Sequence, residues 1–343
     1  MKILYMSCHA VLEYDELRIL NDLGYDVTSI GSYIDPKLPH SDIRPPLNIS
    51  TNIERTNKIH DLFQQNLTKG ISPEFCSNTL TKEVVDDYDV IIVMHKIDWI
   101  EKNWEVLKNK IVILRTIGQN LKINEKNIQE YRNKGIKIIR YSPKERELPN
   151  YAGEDIVLRF LKYKSDFKQR NVLNKNVISF GQNIKERGNA CNSDVIEYVS
   201  RYLNFKLFGP SNENYDFFGG KISYQQQIEE LSINGCYLYT GTFPAQYTLN
   251  FVESLMSGIP IVSVGRQLCN QNNVNFPFEV PDILDQIGGF YYDSHSEILS
   301  KFEELLSDEQ KMNDISLKQI NLATKLFSVE ENGHLWKEFL NNL

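Results

Sequence analysis

With 343 residues and a net charge of −7, the chain exceeds one ordinary hydrophobic core, so two domains are expected. Its 41% hydrophobic and 24% charged residues are those of a globular protein. No apolar run approaches the roughly 18–20 residues of a membrane span, and the acidity argues against nucleic acid as the main partner.

The first residues, Met1-Lys2, lead into the apolar run Ile3–Met6, too short for a signal peptide and read as a buried first strand, Ile3–Ser7, of a cytoplasmic enzyme. A helix is expected over Glu13–Leu23, with Leu17, Leu20 and Leu23 on one side and Gly24 as its stop. Val27–Ile30 is the next strand. Ser32–Leu47 is rich in Pro, Asp and His and reads as a long loop, a class of segment that tends to carry function. The continuous apolar run Asp89–Met94 fits a strand buried on both faces. Ile111–Leu114 and Ile136–Tyr141 repeat it, with a helix around Glu125–Lys134 between them. This alternation predicts a parallel α/β domain.

The polar, charged stretch Tyr163–Lys175 is the expected linker, after which the pattern restarts. Val177–Phe180 is a strand closed by Gly181. Asp194–Leu203 is a helix, and Phe205–Phe208 a strand ending in Gly209-Pro210. Ser223-x-x-Gln226 is a capping box that opens a helix to Leu231. Cys236–Tyr239 and Ile259–Val264 are strands. The tail from about Ser296 is helical and ends in the amphipathic Val329–Leu343. The expected organisation is an N-terminal acceptor-side Rossmann-like domain over 1–162 and a linker over 163–175. A donor domain over 176–325 and a C-terminal helix over 326–343, packing back toward the first domain, complete it. Open parallel sheets bind ligands beyond the carboxyl ends of their strands, so two such domains would face a central cleft.

The five cysteines, Cys8, Cys76, Cys191, Cys236 and Cys269, are scattered without zinc spacing and read as free thiols. Charge is uneven: residues 101–180 hold 18 Lys/Arg against 9 Asp/Glu. That is a solvated basic face, a surface for peripheral membrane contact, or a wall that attracts an anionic substrate.

The richest segment is Tyr239–Val264, YTGTFPAQYTLNFVESLMSGIPIVSV. It reads as strand, Gly/Pro turn, short helix, Gly stop, strand. Free backbone N–H groups at such a helix start make an anion site. Glu253, inside the same helix, would not want that anion and is suited to hydroxyl groups. Phosphate together with sugar hydroxyls points to a nucleotide or a nucleotide-sugar. Asn250-x-x-Glu253 is also a capping-box pattern, which gives Glu253 a purely structural alternative.

Together, Gly181, Arg187-Gly188, the turn at Gly220, Tyr247-Thr248-Leu249 with Glu253, and Gly258-Ile-Pro-Ile-Val resemble the C-terminal domain of group 1, family 4-like glycosyltransferases of the GT-B fold. The resemblance implies retaining transfer of a sugar from a nucleotide-diphosphate donor to a hydroxyl, without a cofactor or obligatory metal. UDP-sugars are favoured as donors and GDP-sugars come second. It places Glu253 on the donor ribose and the N–H groups of Thr248 and Leu249 on the phosphates, with Tyr247, Gly181 and Gln182 beside them. Arg187 falls on the diphosphate, and Lys221-Ile222 on the nucleobase. His95, directly after the strand Asp89–Met94, falls near the sugar and is, with Arg187, the catalytic candidate. His9, Arg115, Thr116, Gln119, His40 and Arg44 are acceptor-side candidates. The chain departs from the family in three places: Ala245 stands where a sugar-contacting Glu is usual, Gln182 where an Arg is usual, and Cys8-His9-Ala10-Val11 where a Gly-rich loop is usual. A glycan, a lipid-linked glycan or a small molecule is the expected acceptor. A non-catalytic or weakly active nucleotide-sugar binding protein, and a glycosyltransferase whose acceptor is a modified nucleic-acid base, are the alternative readings. The lack of G-x-G-x-x-G after the first strand argues against a nicotinamide-dependent oxidoreductase.

Overall fold

The computed structural model describes residues 1–31, 33, 43–47, 61, 80–118, 122–269 and 276–343. Two compact units divide the chain: unit 1 is Met1–Arg159 with Gly333–Leu343, and unit 2 is Phe160–Asn332. The expected linker therefore lies inside unit 2, where Lys164–Asp166 form a 3-10 turn and Asn174 and Lys175 open a strand.

Unit 1 is built on a six-stranded parallel sheet ordered β2-β1-β3-β4-β5-β6. Its strands are β1 Lys2–Met6, β2 Asp26–Ile30, β3 Val90–Met94, β4 Ile111–Arg115, β5 Lys137–Arg140 and β6 Ile156–Val157. β3 lies between β1 and β4 and is buried along its whole length, which is why its sequence is continuously apolar rather than alternating. Burying each such Val or Ile contributes about 1.5–3 kcal/mol. The first helix, Ala10–Asp22, starts earlier than the Leu spacing indicates, because His9 acts as its N-cap and accepts from Leu12 N at 3.4 Å through Nδ1. The C-terminal helix His334–Asn341 belongs to unit 1. Its Trp336 is buried, with the Arg115 guanidinium 5.9 Å from the ring centre.

Unit 2 holds a second six-stranded parallel sheet, ordered β12-β11-β10-β7-β8-β9. Its strands are β7 Asn174–Phe180, β8 Phe205–Phe208, β9 Phe218–Gly220, β10 Asn234–Tyr239, β11 Ile261–Val264 and β12 Tyr291–Tyr292. The capping box at Ser223 and Gln226 is formed on both sides and opens the helix Tyr224–Ile233. Gly258, at φ 75°, stops the helix Leu249–Ser257. A Cβ there would lie 2.7 Å from the side chains of Ile320 and Ser316, which would have to move, and the positive φ itself disfavours any other residue.

In each sheet the first strand of the unit is an interior strand and the chain winds outward on both sides of it. The order reverses between β1 and β3 in unit 1 and between β7 and β10 in unit 2. Such switch points are where open α/β sheets bind ligands.

Several cations of the positive stretch 101–180 are locally paired or buried. Lys102 pairs with Asp98, Lys108 with Glu105, Lys134 with Glu130, Lys144 with Glu147 and Arg146 with Glu154. Arg115, Arg140 and Lys162 are buried. No helix among the described residues is long and apolar enough to cross a membrane.

Candidate active site

At the unit 2 switch point, β7 ends in Phe180-Gly181 and β10 in Tyr239. Asn212 shapes the first of these ends. Its Nδ2 donates to Gly181 O at 2.7 Å and to Gly209 O at 3.0 Å, and its Oδ1 accepts from Ile184 N at 2.9 Å. The loops after β7 and β8 are thereby tied together so closely that a Cβ on Gly209 would lie 2.2 Å from Gly181 O. Arg187 ends the short helix Ile184–Arg187 and is half-buried, while Gln182 is exposed. The adjacent acid, Glu186, is taken by Asn183 Nδ2 at 2.6 Å. The loops after β7 and β10 are joined by Phe243 N donating to Ala190 O at 2.8 Å.

Helix Leu249–Ser257 begins at this edge. Asn250 Nδ2 donates to Phe180 O at 3.1 Å, which pins the helix start across the switch point to the end of β7. Asn250 is thus not a cap, and the capping-box alternative for Glu253 does not form. The N-cap, Thr248, is extended and makes no side-chain capping bond. The leading N–H groups of a helix have no acceptor within it, and together with the helix dipole they favour an anion. Thr248 itself is committed elsewhere: its N–H donates to Tyr239 Oη at 3.1 Å, and Tyr239 Oη donates to Thr248 Oγ1 at 3.2 Å. Burial holds the Tyr239 hydroxyl well above the usual phenol range, so it stays protonated.

Glu253 is 1% exposed. Its Oε1 lies 2.6 Å from Lys162 Nζ, in an ion pair whose two side chains are 1% and 2% exposed. Its Oε2 accepts from Gln227 Nε2 at 2.6 Å. Tyr247 is fully buried, with the rings of Phe160 and Phe327 edge-on to it, each 5.5 Å away. Ala245 is buried in the turn before it and donates its N–H to Thr242 O at 2.7 Å. Lys221 is exposed and Ile222 half-buried in the turn between β9 and helix Tyr224–Ile233.

The unit 1 switch point is organised differently. Cys8 Sγ donates to Met94 O at 3.5 Å, joining the ends of β1 and β3. His95 directly follows β3 with φ 65°, a left-handed conformation uncommon outside Gly and concentrated at functional sites. Its N–H donates to Arg115 O at 2.8 Å. Its Nδ1 is buried without a hydrogen-bond partner among the described residues. Burial, reinforced by the Lys96 charge, pushes the His95 imidazole down to about 4, so it is neutral at pH 7.

Arg115 and Thr116, expected at a polar strand end, are instead consumed within unit 1. Arg115 Nε pairs with Glu16 Oε1 at 2.8 Å, and Glu16 also accepts from Tyr5 Oη. Thr116 Oγ1 donates to Glu145 Oε1 at 2.8 Å, and Glu145 Oε2 meets Arg140 at 3.2 Å. The strand end is polar because it closes two buried ion-pair networks, so the acceptor-side reading of these two residues has no exposed group to rest on. Arg44 is likewise 4% exposed and donates to Ile43 O at 2.8 Å. His40 and Gln119 lie outside the described residues. Sequence reading missed Lys162, Gln227, Asn212 and Tyr239. Of these only Gln227 carried a signal, one position beyond the capping box. Among the described residues, no group of three or more His, Cys, Asp or Glu side chains could hold a metal ion.

The fold is that of GT-B glycosyltransferases: two parallel sheets with helices, matched over the full length of solved structures. HepE of Anabaena, solved in complex with UDP-glucose, superposes with a TM-score of 0.65 at 14% identity over 100% of both chains. A glycosyltransferase of Rickettsia africae matches with a TM-score of 0.65 at 13% identity, over 100% of this chain and 99% of that one. An α-glucosyltransferase solved with UDP-glucose and DNA containing an abasic site matches with a TM-score of 0.56 at 10% identity over 99% of both. No protein-family model and no curated protein sequence matches the chain.

Proposed function

We propose that the chain is a glycosyltransferase that moves a sugar from a nucleotide-diphosphate donor, a UDP-sugar first and a GDP-sugar second, to a hydroxyl acceptor with retention of configuration. The observation that carries this reading is the helix Leu249–Ser257, which starts at a switch point without a side-chain cap and holds a buried carboxylate one turn inside it. The structural neighbours bound to UDP-glucose support a nucleotide-sugar as the ligand. In this reading the N–H groups from Leu249 onward receive the diphosphate, Glu253 receives the ribose hydroxyls, and the Lys221-Ile222 turn meets the base.

The reaction breaks the bond between the anomeric carbon and the β-phosphate oxygen and forms one to the acceptor oxygen. The acceptor's proton passes to the departing phosphate oxygen. Negative charge grows on that diphosphate as the sugar gains oxocarbenium character. Arg187 can meet a diphosphate with two parallel N–H donors, and it and the helix start stabilise the growing charge more in the transition state than in the ground state. His95, neutral at pH 7, is offered to the transferred sugar as a hydrogen-bonding group that adds no positive charge beside the cation. Glycans, lipid-linked glycans and small molecules are the acceptor classes proposed; the local pairing of the 101–180 cations gives no support to a membrane or nucleic-acid face.

Calorimetric titration with UDP-glucose, UDP-GlcNAc, UDP-galactose and the GDP-sugars tests this, together with nucleotide release in the absence of acceptor. At least one donor should bind and be slowly hydrolysed. Binding without any release would reduce the protein to a nucleotide-sugar carrier, and no binding across the panel would remove the reading.

A further inference from the structure

Glu253 does not meet the solvent as a lone carboxylate. One oxygen is held by Lys162 Nζ and the other by Gln227 Nε2, each at 2.6 Å. An ionised carboxylate is acceptor-only, with about four lone-pair sites on two oxygens. Protein donors on both oxygens therefore fix its plane and rotamer. We infer that Lys162 is a positioning residue for the donor: it sets the Glu253 carboxylate in the orientation that reads a pair of vicinal ribose hydroxyls, and so makes the protein select ribonucleotide over 2′-deoxyribonucleotide donors. This deepens the glycosyltransferase reading and rests on its assignment of Glu253 to the ribose.

The main chain around Lys162 explains how a flexible lysine can do this. Lys162 N donates to Phe327 O at 2.7 Å, and Val329 N donates to Lys162 O at 2.9 Å, in a parallel bridge between Lys162 and Ser328. Its backbone is therefore fixed on both sides before the side chain begins. The same two stretches carry Phe160 and Phe327, whose rings flank Tyr247. The two ends of unit 2 thus grip the 247–253 segment twice, by apolar rings at Tyr247 and by a charge at Glu253. A compact ammonium on such a backbone acts as a point charge at one carboxylate oxygen. Loss of that charge would remove the ammonium that holds one carboxylate oxygen and so loosen the orientation of the carboxylate.

The test measures the affinities of UDP and 2′-deoxy-UDP by calorimetry, with melting followed in parallel. Unmodified protein should prefer UDP by about tenfold or more, the worth of one hydrogen bond to a charged group. Glu253→Gln should bring that preference below about threefold, and Lys162→Met should do the same while the protein still melts cooperatively. A structural role would weaken both nucleotides equally and leave their ratio unmoved. Lys162→Arg keeps the cation but forces the carboxylate aside, so the ratio should fall at least about threefold with little change in melting. It serves as the deciding variant where Lys162→Met does not fold. If Glu253→Gln abolishes the preference while Lys162→Met, folded, or Lys162→Arg keeps the wild-type ratio, the positioning role is overturned and the ribose reading stands. If the unmodified protein shows no preference, the ribose reading falls and the inference with it.

Discussion

The two switch points share one sheet logic and use it in opposite ways. In unit 2 the strand ends are braced by neutral groups, Asn212, Asn250 and Tyr239, so that a helix start and a cation are left presented. In unit 1 the charged groups nearest the strand ends are spent on buried pairs, Arg115 with Glu16 and Arg140 with Glu125 and Glu145. What unit 1 presents is a strained, neutral histidine. Buried charge close to a strand end is therefore no guide to function by itself. Between the two arginines the distinction is that Arg115 is matched by Glu16 inside its unit, whereas Arg187 is half-buried on the short helix after β7.

The largest effect expected from breaking this contrast is structural. Arg140 is fully buried, bonded to both oxygens of Glu125 at 2.7 Å and to Glu145 at 3.2 Å. Arg140→Met removes the common partner of two buried carboxylates and should cost about 3–5 kcal/mol, read as a large drop in denaturation midpoint. A near-neutral result would mean that the network is not closed as described.

Arg187→Ala should do the reverse. Arg187 is half-buried at the end of a four-residue helix, so melting should stay within a few degrees. The transfer rate should fall by about 10²–10³, with a much smaller change in donor affinity. A normal rate would take Arg187 out of the chemistry and leave the helix start as the only charge stabiliser.

A third expectation concerns His95. Its imidazole is pushed down to about 4, chiefly by burial, against about 6.5 in the unfolded chain. Between those values the unfolded chain binds more protons, so stability rises with pH there. The contribution is fully present above about pH 6.5, is lost as pH falls through about 4, and amounts to about 3 kcal/mol at 1.36 kcal/mol per unit. His95→Gln should flatten that part of the stability-versus-pH curve. An unchanged acid limb would show that other groups set it.

These contrasts also mark what the sequence makes legible. Apolar runs such as Asp89–Met94, the Gly258 stop and the Ser223/Gln226 box are local signals, and local periodicity decides strand, helix and cap. The same local reading put Arg115 at a polar strand end and left open what opposes it. The residue that opposes it, Glu16, is 99 positions away, and the one that holds Glu253, Lys162, is 91 positions away. No spacing rule spans such distances, because the pairing is made by the order of strands in a sheet. Thr248 shows the same limit at short range. Its place before an uncapped helix is legible, but the use of its N–H depends on a tyrosine at the end of the preceding strand.

That last point yields the smallest expected effect. Tyr239 Oη accepts the Thr248 N–H and donates to Thr248 Oγ1, and its ring is parallel to that of Phe278 with centres 6.4 Å apart. Tyr239→Phe keeps the ring and removes only the hydroxyl, leaving one backbone donor to find a new partner. The cost should be about 1 kcal/mol, or about 2–4 °C in melting for a unit of this size. If the Thr248 N–H belongs to the fold and the anion site begins at Leu249, nucleotide-sugar affinity should change by less than about threefold, under 1 kcal/mol. Some tightening is compatible with this, because the released N–H could turn to the phosphate. A loss of about tenfold or more would instead place the Tyr239 hydroxyl itself against the diphosphate, and unit 2 would then add a hydroxyl to the guanidinium and the backbone donors assigned to that group.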